Sequence, residues 1–147
     1  MKNLSNRIQA IFIAIFCLGI ILIFNGCRDD DSPPNCGCEA NTIKSIPESS
    51  TLTGKIFYKA PSPKDDYYTN KFWIVYTEPS CVNCAHHFII CNEKILENNY
   101  NEIKEVTNGK TIDITFSGNI KPICDLPNAW LADETFERIT LTSIERK

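Results

Sequence analysis

The sequence predicts a mainly β domain, arranged as a small closed or partly closed barrel, or a sandwich, of about five strands with at most one short helix. Short segments rich in β-branched and aromatic residues alternate between apolar and polar positions, which is the period of a half-buried strand. Turn-forming residues separate these segments, and no segment has the apolar spacing of a long amphipathic helix.

The first two strands are predicted on either side of a long loop. Residues 51–59 alternate and place their apolar side chains on one face, whereas the prolines and acidic residues of 60–66 cannot continue a strand. Residues 71–78 are apolar at neighbouring positions such as Phe72 and Trp73. This pattern is expected of a strand buried on both faces.

The remaining elements are shorter. A turn is predicted at residues 81–86, a strand at 87–91 and one short helix at 93–100. The alternation in residues 110–116 predicts the next strand, and residues 136–144 predict the last.

Two dipeptides predict the shape of the chain around the fourth strand. Asn108-Gly109 is a strong tight-turn signal immediately before it. Ser117-Gly118 follows it, and a glycine in a strand pattern often marks a bulge or bend. A loop over residues 125–134 then leads to the last strand.

The amino terminus has the layout of a secretory signal. Lys2 and Arg7 precede an apolar run at residues 8–24. The run ends in Phe24-Asn25-Gly26-Cys27, which resembles the lipobox of bacterial lipoproteins. The resemblance implies a signal peptide at residues 1–26, cleavage before Cys27, and a diacylglycerol on its thiol, with chains such as palmitate anchoring the protein.

An uncleaved membrane helix is the alternative, because the apolar run is close to the shortest that spans a bilayer. Phe24 also stands where the lipobox usually has leucine. In both cases the basic residues stay inside and everything after Cys27 is exported.

The segment after Cys27 is predicted to be a flexible tether over residues 27–50. Its charged start, Arg28-Asp29-Asp30-Asp31, is either simply solvated or a sorting signal. It resembles the short acidic signal that sends Bacteroidetes lipoproteins to the outer face of the outer membrane. Surface display and a periplasm-facing outer-membrane anchor both remain open.

The exported part is predicted to fold as one domain over residues 51–147. Cleavage would leave 121 residues, which suits one ordinary domain. It would also remove two basic residues and no acidic ones, so the net charge would change from −3 to −5. This acidic balance argues against a nucleic-acid partner.

Six cysteines remain in the exported part when Cys17 leaves with the signal and Cys27 carries lipid. In an oxidising compartment an even number predicts a disulfide framework, whose connectivity the sequence leaves open. Cys36 and Cys38 are too close to pair comfortably with each other, and we expect Cys91 to pair with Cys124. The candidates are Cys36, Cys38, Cys81, Cys84, Cys91 and Cys124.

Part of the predicted barrel also resembles small OB-fold-like lipoproteins of Bacteroidetes. The matching stretches are Phe-Ile-Ile-Cys-Asn at residues 88–92, Gly109, Ile-Asp-Ile-Thr-Phe-Ser-Gly at 112–118, and Ile-Thr-Leu-Thr-Ser-Ile-Glu at 139–145. They cover roughly the last 60 residues. The resemblance implies an OB-like barrel and names no activity. OB barrels elsewhere bind oligonucleotides or sugars on one face.

A Cys-x-x-Cys motif gives the main alternative function. Cys81 and Cys84 follow an apolar strand, as in thioredoxin-like sites, where a helix amino terminus activates the first thiol. The residues after Cys84 read as strand rather than helix, which argues against that site. The same two cysteines could bind zinc or copper together with His86, His87 and Cys91.

The sequence therefore predicts a membrane-anchored, non-enzymatic envelope lipoprotein that acts as a binding or structural module without a cofactor. An envelope protein or a glycan is the expected kind of partner. A thiol-disulfide or metal-binding protein is the alternative. Tyr67, Tyr68 and Trp130 either form a binding surface or pack over the mouth of the barrel.

Overall fold

Six β-strands form the framework of the part of the chain that the structure describes. The computed structural model describes residues 32–61, 67–81, 83–97, 99–104, 109–125 and 133–147. The strands are β1 (Lys44–Ile46), β2 (Leu52–Lys59), β3 (Lys71–Thr77), β4 (Ala85–Ile90), β5 (Ile112–Lys121) and β6 (Glu134–Arg146). The predictions for residues 1–31, which include the signal peptide and Cys27, and for Asn108 and Trp130 lie outside the described residues.

Strands β2 to β6 close into a barrel. β5 pairs with β2 along one edge and with β6 along the other, and β3 and β4 complete the ring. The β4–β6 pair is parallel, whereas the other pairs are antiparallel. This arrangement is a small five-stranded OB-like barrel. The predicted fold class, mainly β with about five strands, is confirmed.

Alternate residues of the strands fill the barrel interior and form one continuous apolar core. At one end, the side chains of Leu96, Tyr100 and Ile103 pack onto this core and cap it. The buried core residues are Ile46, Ile56, Phe72, Ile74, Phe88, Ile90, Leu96, Tyr100, Ile103, Ile114, Phe116, Ile120, Ile139 and Leu141.

Strand β3 is buried on both faces, as its sequence predicts. Phe72 and Ile74 point into the barrel core, and Trp73 between them points outward yet is only 2% exposed. Additional chain must therefore cover the outer face of the barrel at this position.

The bend predicted at Ser117-Gly118 is a bulge in β5, where the register with β6 shifts. A Cβ atom on Gly118 would lie 2.6 Å from the Thr140 carbonyl oxygen, so only glycine allows this close approach. The buried Ser117 hydroxyl lies 2.7 Å from both the Thr142 and the Ser143 hydroxyl. The hydroxyl groups of β6 thus give the buried Ser117 hydroxyl its hydrogen-bond partners at the bulge.

The short helix predicted at residues 93–100 is not formed as one helix. The chain makes two 3-10 turns there, Glu93–Leu96 and Asn101–Ile103. The Asn92 amide donates to the Leu141 carbonyl at 2.8 Å, and its oxygen accepts from the Leu141 N–H at 2.9 Å. This pair fixes the chain to β6, and nearby asparagines have low helix propensity.

Two strands begin earlier than their sequence pattern predicts. β4 begins at Ala85 rather than at residue 87, and β6 begins at Glu134 and ends at Arg146. Ala85 pairs with Glu134 at the start of the parallel β4–β6 ladder. Because a neighbouring strand supplies the hydrogen bonds, both strands extend into regions that local sequence assigns to turns.

The described part of the expected tether is joined to the barrel. Strand β1 pairs with β5, and the compact unit begins at Pro33. Gly37 donates its N–H to the Pro122 carbonyl at 2.8 Å and has a φ of 94°, a conformation that favours glycine. The folded unit therefore starts well before residue 51, the expected boundary.

All six cysteines predicted to form disulfides do so. The bonds join Cys36 to Cys124, Cys38 to Cys91 and Cys81 to Cys84. The expected Cys91–Cys124 bond is wrong, because the amino-terminal segment lies between these two cysteines and offers each a partner. Cys36 and Cys38 do not pair with each other, as expected.

Candidate functional site

The Cys81-x-x-Cys84 motif lies in the turn between β3 and β4. The turn is held by the Cys81 N–H, which donates to the Glu78 carbonyl at 3.1 Å, and by the Glu78 N–H, which donates to the Cys84 carbonyl at 3.2 Å. Strand β4 begins at Ala85, directly after the motif. The motif therefore does not occupy a helix amino terminus, which is the feature that activates the thiol in thioredoxin-like sites.

The proposed metal ligands are not brought together as a set. Cys81 and Cys84 are bonded to each other, so neither offers a thiolate. His86 and His87 are neighbours on a strand and point to opposite faces. Among the residues that the structure describes, no three His, Cys, Asp or Glu side chains are grouped closely enough to hold a metal ion.

His87 packs on the outer face of the barrel. Its ring stacks on Phe136 with the ring centres 4.7 Å apart. Its Nε2 lies 3.7 Å from Glu134 Oε2, the distance of a long ion pair, and has no hydrogen-bond partner among the described residues. Burial lowers the pKa of His87, although the Glu134 carboxylate acts in the opposite direction. His87 therefore contributes apolar packing in its neutral form.

His86 points into the open end of the barrel and is held on several sides. Its Nε2 lies 3.1 Å from Glu78 Oε1, and its Nδ1 lies 2.8 Å from the Thr135 hydroxyl. Its ring stacks on that of Tyr76 at 5.6 Å and on that of Phe88 at 6.2 Å. The orientation of this imidazole is thus fixed by two polar and two aromatic neighbours.

A cavity of about 310 Å³ opens at this end of the barrel, opposite the end capped by Leu96, Tyr100 and Ile103. We call it the mouth pocket. Strand β1 and the turn after it form one wall, and β3, β4 and β6 form the others. The lining residues are Lys44, Ser45, Ile46, Pro47, Ser50, Leu52, Tyr76, Glu78, His86, Phe88, Ile120, Thr135 and Glu137.

Glu137 occupies an inward-facing position of β6, opposite Phe88 of β4. Ile139 and Leu141 follow on the same face and are buried in the core. Half-burial of the Glu137 carboxyl raises its pKa, and the nearby charges of His86 and Lys44 oppose that rise. A carboxyl group in this position makes the mouth pocket polar where the rest of the interior is apolar.

A second cavity, of about 550 Å³, lies near the capped end. It is a more open groove, and its main charged group already has partners: Arg146 lies 3.2 Å from Glu102 and 5.2 Å from the centre of the Tyr100 ring. The lining residues are Ile95, Asn99, Tyr100, Ile144, Glu145 and Arg146. The mouth pocket is the better candidate site, since it combines enclosure with several convergent polar groups.

An aromatic cluster covers the outer face of β3. Tyr67 and Tyr68 pack edge to face, and Tyr67 approaches the Trp73 ring. The Tyr68 carbonyl accepts a hydrogen bond from the Trp73 indole at 3.2 Å, and the Arg138 guanidinium lies 4.5 Å from the Tyr68 ring centre. Tyr67 and Tyr68 are therefore packed on the barrel wall, away from its mouth.

Sequence reasoning singled out His86 but missed the residues that line the pocket with it, Tyr76, Glu78, Thr135 and Glu137. One signal was available. In the predicted last strand, Glu137 falls in the same alternation phase as Ile139 and Leu141, which marks it as a carboxylate on the core side. The other residues are brought together by the barrel alone.

Within the described residues, no helix has the length and apolar character needed to cross a bilayer. Comparison with known proteins gives no matching family model and no matching curated protein.

Proposed function

We propose that this chain is a membrane-anchored cell-envelope lipoprotein whose barrel is a non-enzymatic binding module, with its ligand held in the mouth pocket. The observation that carries the proposal is the difference between the two ends of the barrel. One end is sealed by Leu96, Tyr100 and Ile103, whereas the other opens into a cavity of about 310 Å³. A cavity of this size is at the lower end of the range for small-molecule sites.

The polarity of the open end supports binding over a purely structural role. Inward-facing positions on β3, β4 and β6 carry Tyr76, His86 and Glu137, although apolar residues there would extend the core. Burying polar groups costs free energy unless they find partners. Polar groups that reduce the stability of the fold and converge on a cavity are typical of a ligand-binding site.

The outer face of the barrel is a poorer candidate. OB barrels elsewhere bind oligonucleotides or sugars on their second and third strands. The corresponding residues on β3 and β4 here, Trp73 and Ile89, are 2% and 0% exposed. The chain's own Tyr67 and Tyr68 occupy that surface, and the negative net charge disfavours nucleic acid.

The anchor part of the proposal rests on the lipobox-like residues ending in Cys27. Lipid on Cys27 would hold the module at a membrane, and Cys36, the first disulfide-bonded residue, follows nine positions later. An extended chain of that length spans roughly 30 Å. The binding module would therefore stay close to the membrane surface, facing either the periplasm or the exterior.

Thiol-disulfide exchange is the second candidate, and the Cys81–Cys84 bond in a partly accessible turn is the observation that favours it. The missing helix amino terminus weighs against it. Insulin reduction by the reduced protein, compared with a Cys84→Ser variant, tests this alternative. Catalytic insulin reduction that depends on Cys84 would favour thiol-disulfide exchange over ligand binding as the function.

A variant with a blocked mouth pocket tests the binding proposal. Thr135→Trp places a bulky ring at the pocket rim, and Thr53→Trp adds the same ring on the outward face of β2. Full chains in detergent are incubated with an extract of envelope metabolites and examined by native mass spectrometry. We expect the unmodified protein and Thr53→Trp to retain a small molecule that Thr135→Trp loses. The proposal would be contradicted if all three proteins retained the small molecule equally, or if none of them retained it.

A further inference from the structure

The mouth pocket contains a carboxylate without a partner. Among the residues that the structure describes, no hydrogen-bond donor or cation lies within bonding distance of the Glu137 side chain, whereas Glu78 is paired with His86. Lys44 on the pocket rim contributes charge from a distance and makes no ion pair with Glu137 in the described structure. Glu137 is thus the negative charge in the pocket that a ligand could neutralise.

The environment of Glu137 disfavours an isolated charge. It is half-buried opposite Phe88, and this burial raises the pKa of its carboxyl. A cation beside it would stabilise the ionised form and satisfy its oxygen atoms, because charge-assisted hydrogen bonds are the stronger ones. The geometry therefore favours a ligand with a positive group.

A stack of aromatic rings forms the wall next to this carboxylate. Tyr76, His86 and Phe88 follow one another, with ring centres 5.6 Å and 6.2 Å apart. The ring faces are turned toward one another, so this wall offers a ligand an apolar surface to pack against. A carboxylate beside such a wall suits a ligand that joins an ammonium group to an apolar body.

The floor of the pocket is apolar. Ile46, Leu52 and Ile120 supply it, and Ile46 and Ile120 are part of the buried core. The cavity has the volume of about ten water molecules, at roughly 30 Å³ each. A ligand that fills it therefore has an apolar body of modest size in addition to its charged group.

We propose that the mouth pocket binds a small organic cation, a protonated amine on an apolar body, with the ammonium group paired to Glu137 and the body against Ile46 and Ile120. This inference rests on the proposed binding function and adds the class of ligand. The His86–Glu78 pair then acts as a fixed neighbour that keeps the aromatic wall in place.

Three probes of nearly equal size separate charge from shape. They are 2-phenylethylammonium, the neutral 2-phenylethanol and the anionic phenylacetate. Calorimetric titration of the full chain in detergent is expected to give at least tenfold tighter binding of the ammonium than of the alcohol, and the weakest binding for the anion. The same titrations with Thr135→Trp measure the heat of probe partitioning into the detergent, and this heat is subtracted.

Variants at Glu137 test the pairing itself. Glu137→Gln is expected to weaken ammonium binding at least tenfold and to leave 2-phenylethanol unchanged. Glu137→Leu, which removes a half-buried charge and suits the core side of β6, should have the same effect on the ammonium. Glu145→Gln, an exposed carboxylate further along β6, serves as the matched control and should change nothing.

The outcomes distinguish the ligand class from the binding function. Equal affinity for the ammonium and the alcohol, or ammonium binding that survives both Glu137 variants, would overturn the cation class while the pocket remained a binding site. If no probe bound the unmodified protein more tightly than Thr135→Trp, both proposals would be overturned.

Discussion

Glu78 and His86 face each other across the β3–β4 turn, with the carboxylate Oε1 3.1 Å from the imidazole Nε2. The Cys81–Cys84 disulfide closes the same turn. The cysteine motif that suggested redox or metal chemistry therefore lies next to the mouth pocket and holds two of its lining residues in place.

The three disulfides should differ in their contribution to stability. Cys38–Cys91 spans 53 positions and Cys81–Cys84 only 3. In the chain-entropy model, removing the first costs about 4 kcal/mol of unfolding free energy and removing the second about 2 kcal/mol. Urea unfolding of Cys38→Ser/Cys91→Ser and Cys81→Ser/Cys84→Ser checks this difference. A larger loss of unfolding free energy in Cys81→Ser/Cys84→Ser would show that the Cys81–Cys84 bond contributes more to stability than the Cys38–Cys91 bond, and would contradict this prediction.

His87 should make the protein less stable in mild acid. Because burial lowers its pKa in the folded state, the unfolded chain binds the proton more readily. The free energy of unfolding should therefore fall as the pH drops below about 6.5, the ordinary histidine value, toward the lower folded value. His87→Phe keeps the stacking on Phe136 and should flatten this slope in urea titrations. If the free energy of unfolding depended on pH equally in the two proteins, His87 would not be the source of the acid sensitivity.

Gly118 should tolerate no side chain. A Cβ atom there would lie 2.6 Å from the Thr140 carbonyl, so Gly118→Ala must move β5 away from β6 at the bulge. We expect a loss of about 1–3 kcal/mol in unfolding free energy, the usual cost of overpacking. Gly109→Asn is the control, since that position has open space and a φ of 63° that asparagine adopts readily. Similar melting temperatures for Gly118→Ala and the unmodified protein would argue against the close approach.

The strands of this barrel could be predicted from the sequence because each carries its own signal. The neighbouring apolar residues of β3 and the alternation of β5 are local patterns, and the glycine at residue 118 marks the bulge. The ends of β4 and β6 could not be predicted in this way. They extend because Ala85 and Glu134 pair across the sheet, and such long-range pairing leaves no local trace.

The site could be predicted only in part. His86 stood out as a possible metal ligand beside the Cys-x-x-Cys motif, and the inward position of Glu137 was available from alternation. The meeting of Glu78, His86 and Thr135 depends on closure of the barrel, which brings β3, β4 and β6 together. The disulfide partners were missed for the same reason, because the path of residues 33–50 along β5 is a tertiary feature.

Cys27 should carry the membrane anchor. Growth with labelled palmitate is expected to label the unmodified protein and leave Cys27→Ser unlabelled, because the thiol is the site of acylation in lipoproteins that this segment resembles. An unmodified protein that took up no labelled palmitate and kept residues 1–26 at the membrane would favour an uncleaved helix at residues 8–24 instead.

The central claim, that ligand enters the open end of the barrel, is tested most directly by methyl NMR of isoleucine-labelled protein titrated with 2-phenylethylammonium. Ile46 and Ile120 line the mouth pocket, whereas Ile95 and Ile144 line the groove near the capped end. We predict saturable shifts of the Ile46 and Ile120 methyl signals, with Ile95 and Ile144 unchanged. Shifts confined to Ile95 and Ile144 would contradict the claim.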